Sequence, residues 1–373
     1  MQTLTNQVLT AASSNRSEAE AVRELRDRFK GFTPTLITYF ASSNYDQDRL
    51  NAAMREAFGS CALFGCSTSG ELVSGKMLQN SLVAMAFDAR TIEDVQVQVI
   101  EHLSRGVKVE PAFKAFEAHT RVPMADLDFQ RYVGLVVVDG LSVAEEAVMD
   151  RIGDLTNVTF IGGSAGDDLK FARTYVYANG RAYTDAAALA LLKPAKGFEI
   201  LKTQSFQALD KVLVVTDTDE ATRTVRSFNG KPAVEAYAEA IGKPVQDAPS
   251  YFMTHPLGLM ANGEIFVRSP QQVKGTDMVF YCQMVHGMEL RVLQSQDIVK
   301  DTRAALEAKL AQVGPVAGMI NFHCILRTLE LQQKSQEATY GQVFANVPTV
   351  GFSTYGEQYI GHINQTSTIL LFK

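Results

Sequence analysis

Gly65-Cys66-Ser67-Thr68-Ser69-Gly70-Glu71 and, near the other end of the chain, Gly351-Phe352-Ser353-Thr354-Tyr355-Gly356-Glu357 agree at five positions of seven. Each copy follows a short, largely apolar run, Cys61 to Phe64 in one place and Val347 to Val350 in the other. Chance supplies a glycine turn easily, but not the same pattern in the same context, so the pair argues for internal duplication. Two copies are too few for a solenoid. The economical reading is an α/β (α+β) protein of two related halves, each a mainly antiparallel or mixed sheet covered by helices.

The chemistry of the repeated turn reads in two ways. Gly65, Gly70, Gly351 and Gly356 allow a positive φ or a close backbone approach, and Ser67, Thr68, Ser353 and Thr354 can present hydroxyls to a polar ligand in a cleft. The same residues equally suit a sharp turn held by its own hydroxyls and the closing glutamate. Neither copy is a Gly-x-Ser-x-Gly nucleophile elbow, because the fifth residue is Ser69 in one and Tyr355 in the other. The reading is therefore non-enzymatic.

Outward from the motifs the elements alternate. Ser17-Glu18-Ala19-Glu20 reads as a capping box that opens a helix to about Lys30. Thr35 to Phe40 reads as a strand, and Leu50, Met54 and Phe58 fall on one helix face. The first motif then sits at a strand end. Ser81 to Phe87 and the alternating Val95, Val97 and Val99 suggest neighbouring antiparallel strands. Helices are expected at Glu110 to Ala118 and after Ser142, with a buried strand at 134 to 138. A second glycine-rich turn, Gly162-Gly163-Ser164-Ala165-Gly166-Asp167-Asp168, lacks the endings of a phosphate loop and reads as structural, lining a cleft. Thr174 to Tyr177 with Asn179-Gly180 forms a strand and hairpin turn. Strands over 196 to 218 cross towards a second domain, which contains a helix over Ala233 to Ile241, another near Asp301 to Gln312, and a strand from Ala317 to Phe322. The domains divide as an N-terminal helical segment, 1–32, and two larger domains, 33–222 and 223–373.

With 373 residues, 46% hydrophobic and 20% charged, the chain can bury a sizeable core without disulfides. A net charge of -6 gives no footprint for nucleic acid. No apolar run reaches the roughly 18 residues of a membrane span, and the N-terminus lacks a signal peptide's order, so a cytoplasmic location without membrane insertion is expected. Cys61, Cys66, Cys282 and Cys324 form no Cys-x-x-Cys pair and fit a reducing compartment.

Three of the six histidines stand in informative contexts. His255 lies in Tyr251-Phe252-Met253-Thr254-His255-Pro256, where a neutral imidazole in apolar surroundings can ligate haem iron. His323 lies in Asn321-Phe322-His323-Cys324-Ile325-Leu326-Arg327 at a strand end, and His286 at a turn. His102 and His119 read as surface residues and His362 as structural.

Together the four motifs, 65–71, 162–168, 321–327 and 351–357, resemble the FIST sensory family, with its N-terminal and C-terminal FIST domains. Among its members the chain is most similar to the nitric-oxide-sensing haemoproteins. That resemblance implies haem b held by a histidine, reversible binding of nitric oxide, and control of a partner sensor histidine kinase that affects cyclic-di-GMP and biofilm behaviour. It leaves a homo-oligomer open. His255 is the first choice of ligand, with His323 and His286 as alternatives and the Cys324 thiolate behind them. A haem-free sensor of a small, amino-acid-like ligand is the alternative the wider family suggests.

Overall fold

The computed structural model describes residues 7–373. A first unit runs β1 (Val8–Ser13), α1 (Glu18–Arg28), β2 (Leu36–Ser42), α2 (Gln47–Phe58), β3 (Ala62–Thr68), a hairpin of β4 (Glu71–Val73) and β5 (Lys76–Leu78), and β6 (Leu82–Phe87). The same order follows at once: β7 (Ile92–Glu101), α3 (Glu110–Thr120), β8 (Val133–Val138), α4 (Glu145–Leu155), β9 (Phe160–Ser164), the hairpin β10 (Val176–Ala178) and β11 (Arg181–Tyr183), and β12 (Ala186–Pro194). A third unit opens with β13 (Phe198–Thr203) and is then interrupted by an antiparallel module. The module contains β14 (Phe206–Asp219), β15 (Thr224–Phe228), β16 (Lys231–Pro232), α5 (Ala233–Ile241), β17 (Leu257–Ala261), β18 (Glu264–Arg268), β19 (Pro270–Lys274), β20 (Asp277–Phe280) and β21 (Glu289–Ser295). The third unit resumes with α6 (Ile298–Val313), β22 (Gly318–Cys324), α7 (Ile325–Gln333), α8 (Glu337–Gln342), β23 (Thr349–Thr354), the hairpin β24 (Glu357–Tyr359) and β25 (His362–Ile363), and β26 (Ser367–Phe372).

The duplication read from the first and last motifs thus gains a third member, because Gly162-Gly163-Ser164 occupies in β9 the place of Gly65-Cys66-Ser67 in β3. Three six-stranded sheets result, ordered β1-β6-β2-β3-β10-β11, β7-β12-β8-β9-β24-β25 and β13-β26-β22-β23-β4-β5. Each has one parallel pair at its centre, β2 with β3, β8 with β9, and β22 with β23. Each unit also donates its hairpin to another sheet: β4 pairs β23, β10 pairs β3 and β24 pairs β9. The hairpin exchange locks the three units into one ring.

Burial follows from this plan. Inward-facing Phe40, Leu135, Val137, Phe322 and Phe352 meet in one central core, while the helices cover the outer faces through separate apolar clusters. In β8, Val136 and Val138 face helices α3 and α4, so the strand is buried on both sides and reads as an unbroken apolar run. Phe40 and Phe352 bring two sheets together with ring centroids 4.6 Å apart.

Three sequence expectations change. The motifs do not begin at strand ends: Gly65 to Thr68 and Gly351 to Thr354 lie inside β3 and β23, only Ser69-Gly70 and Tyr355-Gly356 make the turn, and Glu71 and Glu357 open β4 and β24. The strands at 82–87 and 92–101 belong to different sheets, because their connection is the step from one unit to the next. Ser17 is the N-cap of α1 but makes no side-chain cap bond, and Glu20 pairs with Arg23 instead of reaching back to the cap. The Asn179-Gly180 turn is as expected, with both residues at positive φ. Among the described residues no helix is long and apolar enough to cross a membrane.

Candidate functional site

In open α/β sheets, ligands gather at the carboxyl ends of parallel strands, where connections diverge. In the second unit the chain leaves β8 through Gly140 to Ala144 and leaves β9 through a long loop, 165 to 175. Two adjacent aspartates fix that loop. Asp167 accepts backbone N–H groups from Phe171, Ala172 and Arg173 and the hydroxyl of Tyr355. Burial works to raise the Asp167 carboxyl, but Tyr355 and the three N–H donors outweigh it and hold the pKa below the usual range. Asp168 reaches the first unit instead, accepting from Ser42 Oγ at 2.9 Å and Ser43 N at 3.0 Å. Both acids are spent on loop geometry, and among the described residues no three His, Cys, Asp or Glu side chains converge as metal ligands.

Beside this loop lies a cleft of about 430 Å³. Leu141 and Val143 line it from the β8–α4 connection, and Leu169 and Phe171 from the long loop. Helix α7 contributes Ile325, Leu326 and Leu329, and the module contributes Arg223, Val279 and Phe280. Phe171 stacks on Tyr355 with centroids 5.1 Å apart and planes at 21°. Val143, Leu169 and Phe171 all have positive φ, at 55°, 62° and 49°, and all are exposed. For β-branched Val143 this is a true outlier. Strain of roughly 1–3 kcal/mol per residue persists only where surrounding bonds over-determine the backbone, and it clusters at ligand sites.

The charged groups of the cleft are already paired. Arg223 Nη2 donates to Glu145 Oε2 at 2.7 Å and to Glu146 Oε2 at 2.5 Å, and Nη1 donates to the Tyr281 carbonyl at 2.9 Å. Burial alone would depress the guanidinium, but the two carboxylates outweigh it and raise its pKa. Glu145 Oε1 accepts from Ser164 Oγ at 3.1 Å, and Glu146 Oε1 from Gln283 N at 2.7 Å. What remains for a ligand is a largely apolar wall and an aromatic pair, with Thr222 and Gln271 as uncharged polar groups.

None of the six histidines lines this cleft. His255 is half-buried before β17, with Nδ1 3.0 Å from Thr254 Oγ1 and its ring 5.6 Å from that of Tyr251. Burial, then Lys243, lowers its pKa, so the imidazole is neutral at pH 7. His323 is wholly buried in β22 against Tyr340, whose hydroxyl lies 2.9 Å from Nδ1. His286 is exposed beside Gly287, which has φ 81°. His362 is held between Gln358 and the Tyr281 carbonyl.

The motif hydroxyls are likewise engaged within the fold. Ser67 donates to the Gly166 carbonyl at 2.7 Å, Thr68 to Glu71, and Thr354 to the Ser164 and Gly356 carbonyls. Ser353 is bonded with Thr328. Tyr355, one of the two positions where the second copy departs from the first, is the motif residue that reaches the cleft. Arg223 and the cleft face of α7 carried no local signal in the sequence, since their partners are supplied by distant segments.

The closing glutamates are buried equivalents. Glu71 Oε2 accepts Ser81 N at 3.1 Å and Ser81 Oγ at 2.6 Å; Glu357 Oε2 accepts Thr366 N at 2.9 Å and Thr366 Oγ1 at 2.6 Å. Each clips its hairpin to the strand that follows. Burial pushes both carboxyls up to about 8. A carboxyl raised in the folded state contributes stability that is present below its unfolded pKa and is lost as pH rises through the folded one. His323 and His362 are depressed by burial, so their contribution fails on the acid side, as pH falls below about 6.5. Between about pH 6.5 and 8, unfolding free energy should therefore fall by about 2 kcal/mol per glutamate. Urea titrations across that window check this, and Glu71→Gln with Glu357→Gln should flatten the slope. Constant wild-type stability would contradict the assignment.

With this geometry in place, family profiles match nearly the whole chain: the FIST N domain over residues 35–231 and the FIST C domain over 233–360. An uncharacterized protein of Methanocaldococcus jannaschii is 24% identical over 293 residues, covering 73% of this chain and 56% of that protein. The chain thus spans about half the length of this curated relative.

Proposed function

Because the chain belongs to the FIST family, whose domains are sensory domains of signal transduction, we propose that it senses a small, predominantly apolar or aromatic ligand held in the cleft beside α7. One observation carries this reading: the cleft volume of about 430 Å³ is walled by apolar groups from three separate parts of the chain. Small-molecule sites run from roughly 300 to 1,000 Å³ and are mostly apolar. A ligand touching the second unit, the module and α7 at once favours one arrangement of those parts over others, which is what a sensor requires. The pairing of Arg223 with two glutamates leaves no unpaired cation on the wall for a carboxylate, which argues against an amino-acid-like ligand here. The binding is non-catalytic, and a sensor histidine kinase is the partner we expect to read it. Native mass spectrometry of protein purified from cells should reveal a small-molecule adduct or accept one from a panel of aromatic compounds. A chain that takes up none of them would refute the reading.

A second reading is a NosP-like sensor of nitric oxide that carries haem b and regulates its kinase partner. His255 favours it: with Nδ1 engaged by Thr254, the neutral ring keeps Nε2 for iron. The cleft does not fit a histidine-ligated haem, because no histidine lines it, so His255 would hold the group elsewhere. Bound haem would supply an open coordination position for a diatomic gas. On this reading His255→Ala loses the Soret band while His102→Ala keeps it; equal spectra in the two variants would exclude His255.

A further inference from the structure

Of the twelve buried side-chain atoms without a hydrogen-bond partner among the described residues, eight belong to Asn321, His323, Arg327, Glu357, Gln358 and Asn364, all in the third unit. Arg327 stands out in this group. It is 1% exposed, the bulkiest of the fully buried side chains, and its guanidinium makes one bond, from Nη2 to Thr302 Oγ1 at 2.7 Å. Nε and Nη1 have no partner. Among the described residues Arg327 forms no ion pair.

Of the unpartnered atoms on β22, Asn321 Nδ2 is a donor and His323 Nε2 a ring nitrogen, while Glu357 offers the unpartnered acceptor Oε1. Arg327 and His323 both stand against the Tyr340 ring, the guanidinium carbon 5.9 Å and the imidazole centroid 4.7 Å from its centre. His323 is close enough for the Arg327 charge to add to burial in depressing its pKa. The Tyr340 hydroxyl is bonded with Nδ1 of His323, and Nε2 is a further buried atom without a partner. Asn321, two residues earlier on the same face of β22, uses Oδ1 to accept from Ser367 and leaves its Nδ2 donors unmatched. Glu357 feels the Arg327 charge, but burial leaves it mostly protonated at pH 7.

Arginine does not lose its proton inside proteins, so it cannot escape burial by becoming neutral. A buried cation with two unpartnered N–H donors and no ion pair calls for an acceptor of opposite charge. We propose that a small monovalent anion, a halide or a formate-sized carboxylate, sits in the interior between β22, α6, α7 and α8, beside the unpartnered Nε and Nη1 of Arg327 and gripped by Arg327, by Asn321 Nδ2 and by His323 in its Nε2–H tautomer. This site is separate from the cleft: Ile325, Leu326 and Leu329 face the cleft from one side of α7, and Arg327 projects from another. The anion would fix the buried side of the helix whose other side meets the sensed ligand.

The test uses the full chain dialysed into gluconate, an anion too large for a site enclosed by packed side chains. At constant ionic strength, chloride, bromide or formate should raise the melting temperature in a saturable way, and the order of the three separates a halide from a carboxylate. Arg327→Met should abolish the anion response; His323→Gln, which keeps the guanidinium, should weaken it and serves if the first variant does not fold. Crystals grown in bromide should give an anomalous peak within hydrogen-bond distance of Arg327 Nε or Nη1. No saturable response to any of the three anions, an equal response in Arg327→Met, or a bromide response without that peak overturns the proposal.

Discussion

Gly162→Ala should destabilise the protein by about 3 kcal/mol or more, an effect at the upper end of overpacking substitutions. A Cβ on Gly162 would lie 1.6 Å from the Val136 carbonyl oxygen, a backbone atom of the parallel partner strand that cannot swing aside. The equivalent positions show the same closeness, 1.7 Å from Tyr39 O at Gly65 and 2.1 Å from Asn321 O at Gly351. The first glycine of each motif is thus required by the approach of β9 to β8, β3 to β2 and β23 to β22. Gly153→Ala is the control, since in α4 nothing lies within 4 Å of the added methyl; there the change should stabilise by about 0.5–1 kcal/mol through helix propensity. Urea denaturation of the two variants should shift in opposite directions. An unchanged midpoint for Gly162→Ala would remove the physical basis of the threefold repeat.

That repeat shows how far the sequence could be read. The first and last motifs were legible because their glycines, hydroxyls and glutamates serve the same backbone geometry in β3 and β23. The middle copy was obscured by the insertion between Ala165 and Val176, which displaces its hairpin from the motif. Strand identity was legible from apolar runs, but sheet membership was not: hydrophobic alternation records which face is buried, not which unit receives the hairpin. The cleft was the least legible feature. Tyr355 could be noticed as a departure from Ser69, yet its bond to Asp167 joins distant parts of the chain, as does that of Arg223 to Glu145 and Glu146. His255 and His323 drew attention through local composition, and neither lies on the cleft wall.

Leu329→Trp should weaken binding of the cleft ligand by about 100-fold, corresponding to about 2.7 kcal/mol. Leu329 lines the cleft from α7 while the core of that helix rests on Leu331 and Thr328. An indole there fills ligand volume without entering the packed interior, so the melting temperature of the unliganded protein should change little. Isothermal titration with a ligand identified by mass spectrometry gives the affinity. A variant that binds as tightly as wild type would show that the ligand sits elsewhere.

The most direct measurement is a crystal structure of the protein with its ligand bound. Density packed between Leu326 and Leu329 on one side and the Phe171–Tyr355 pair on the other is the predicted result. Ligand density outside this cleft, such as a haem on His255, with the cleft walls unchanged, would contradict the account.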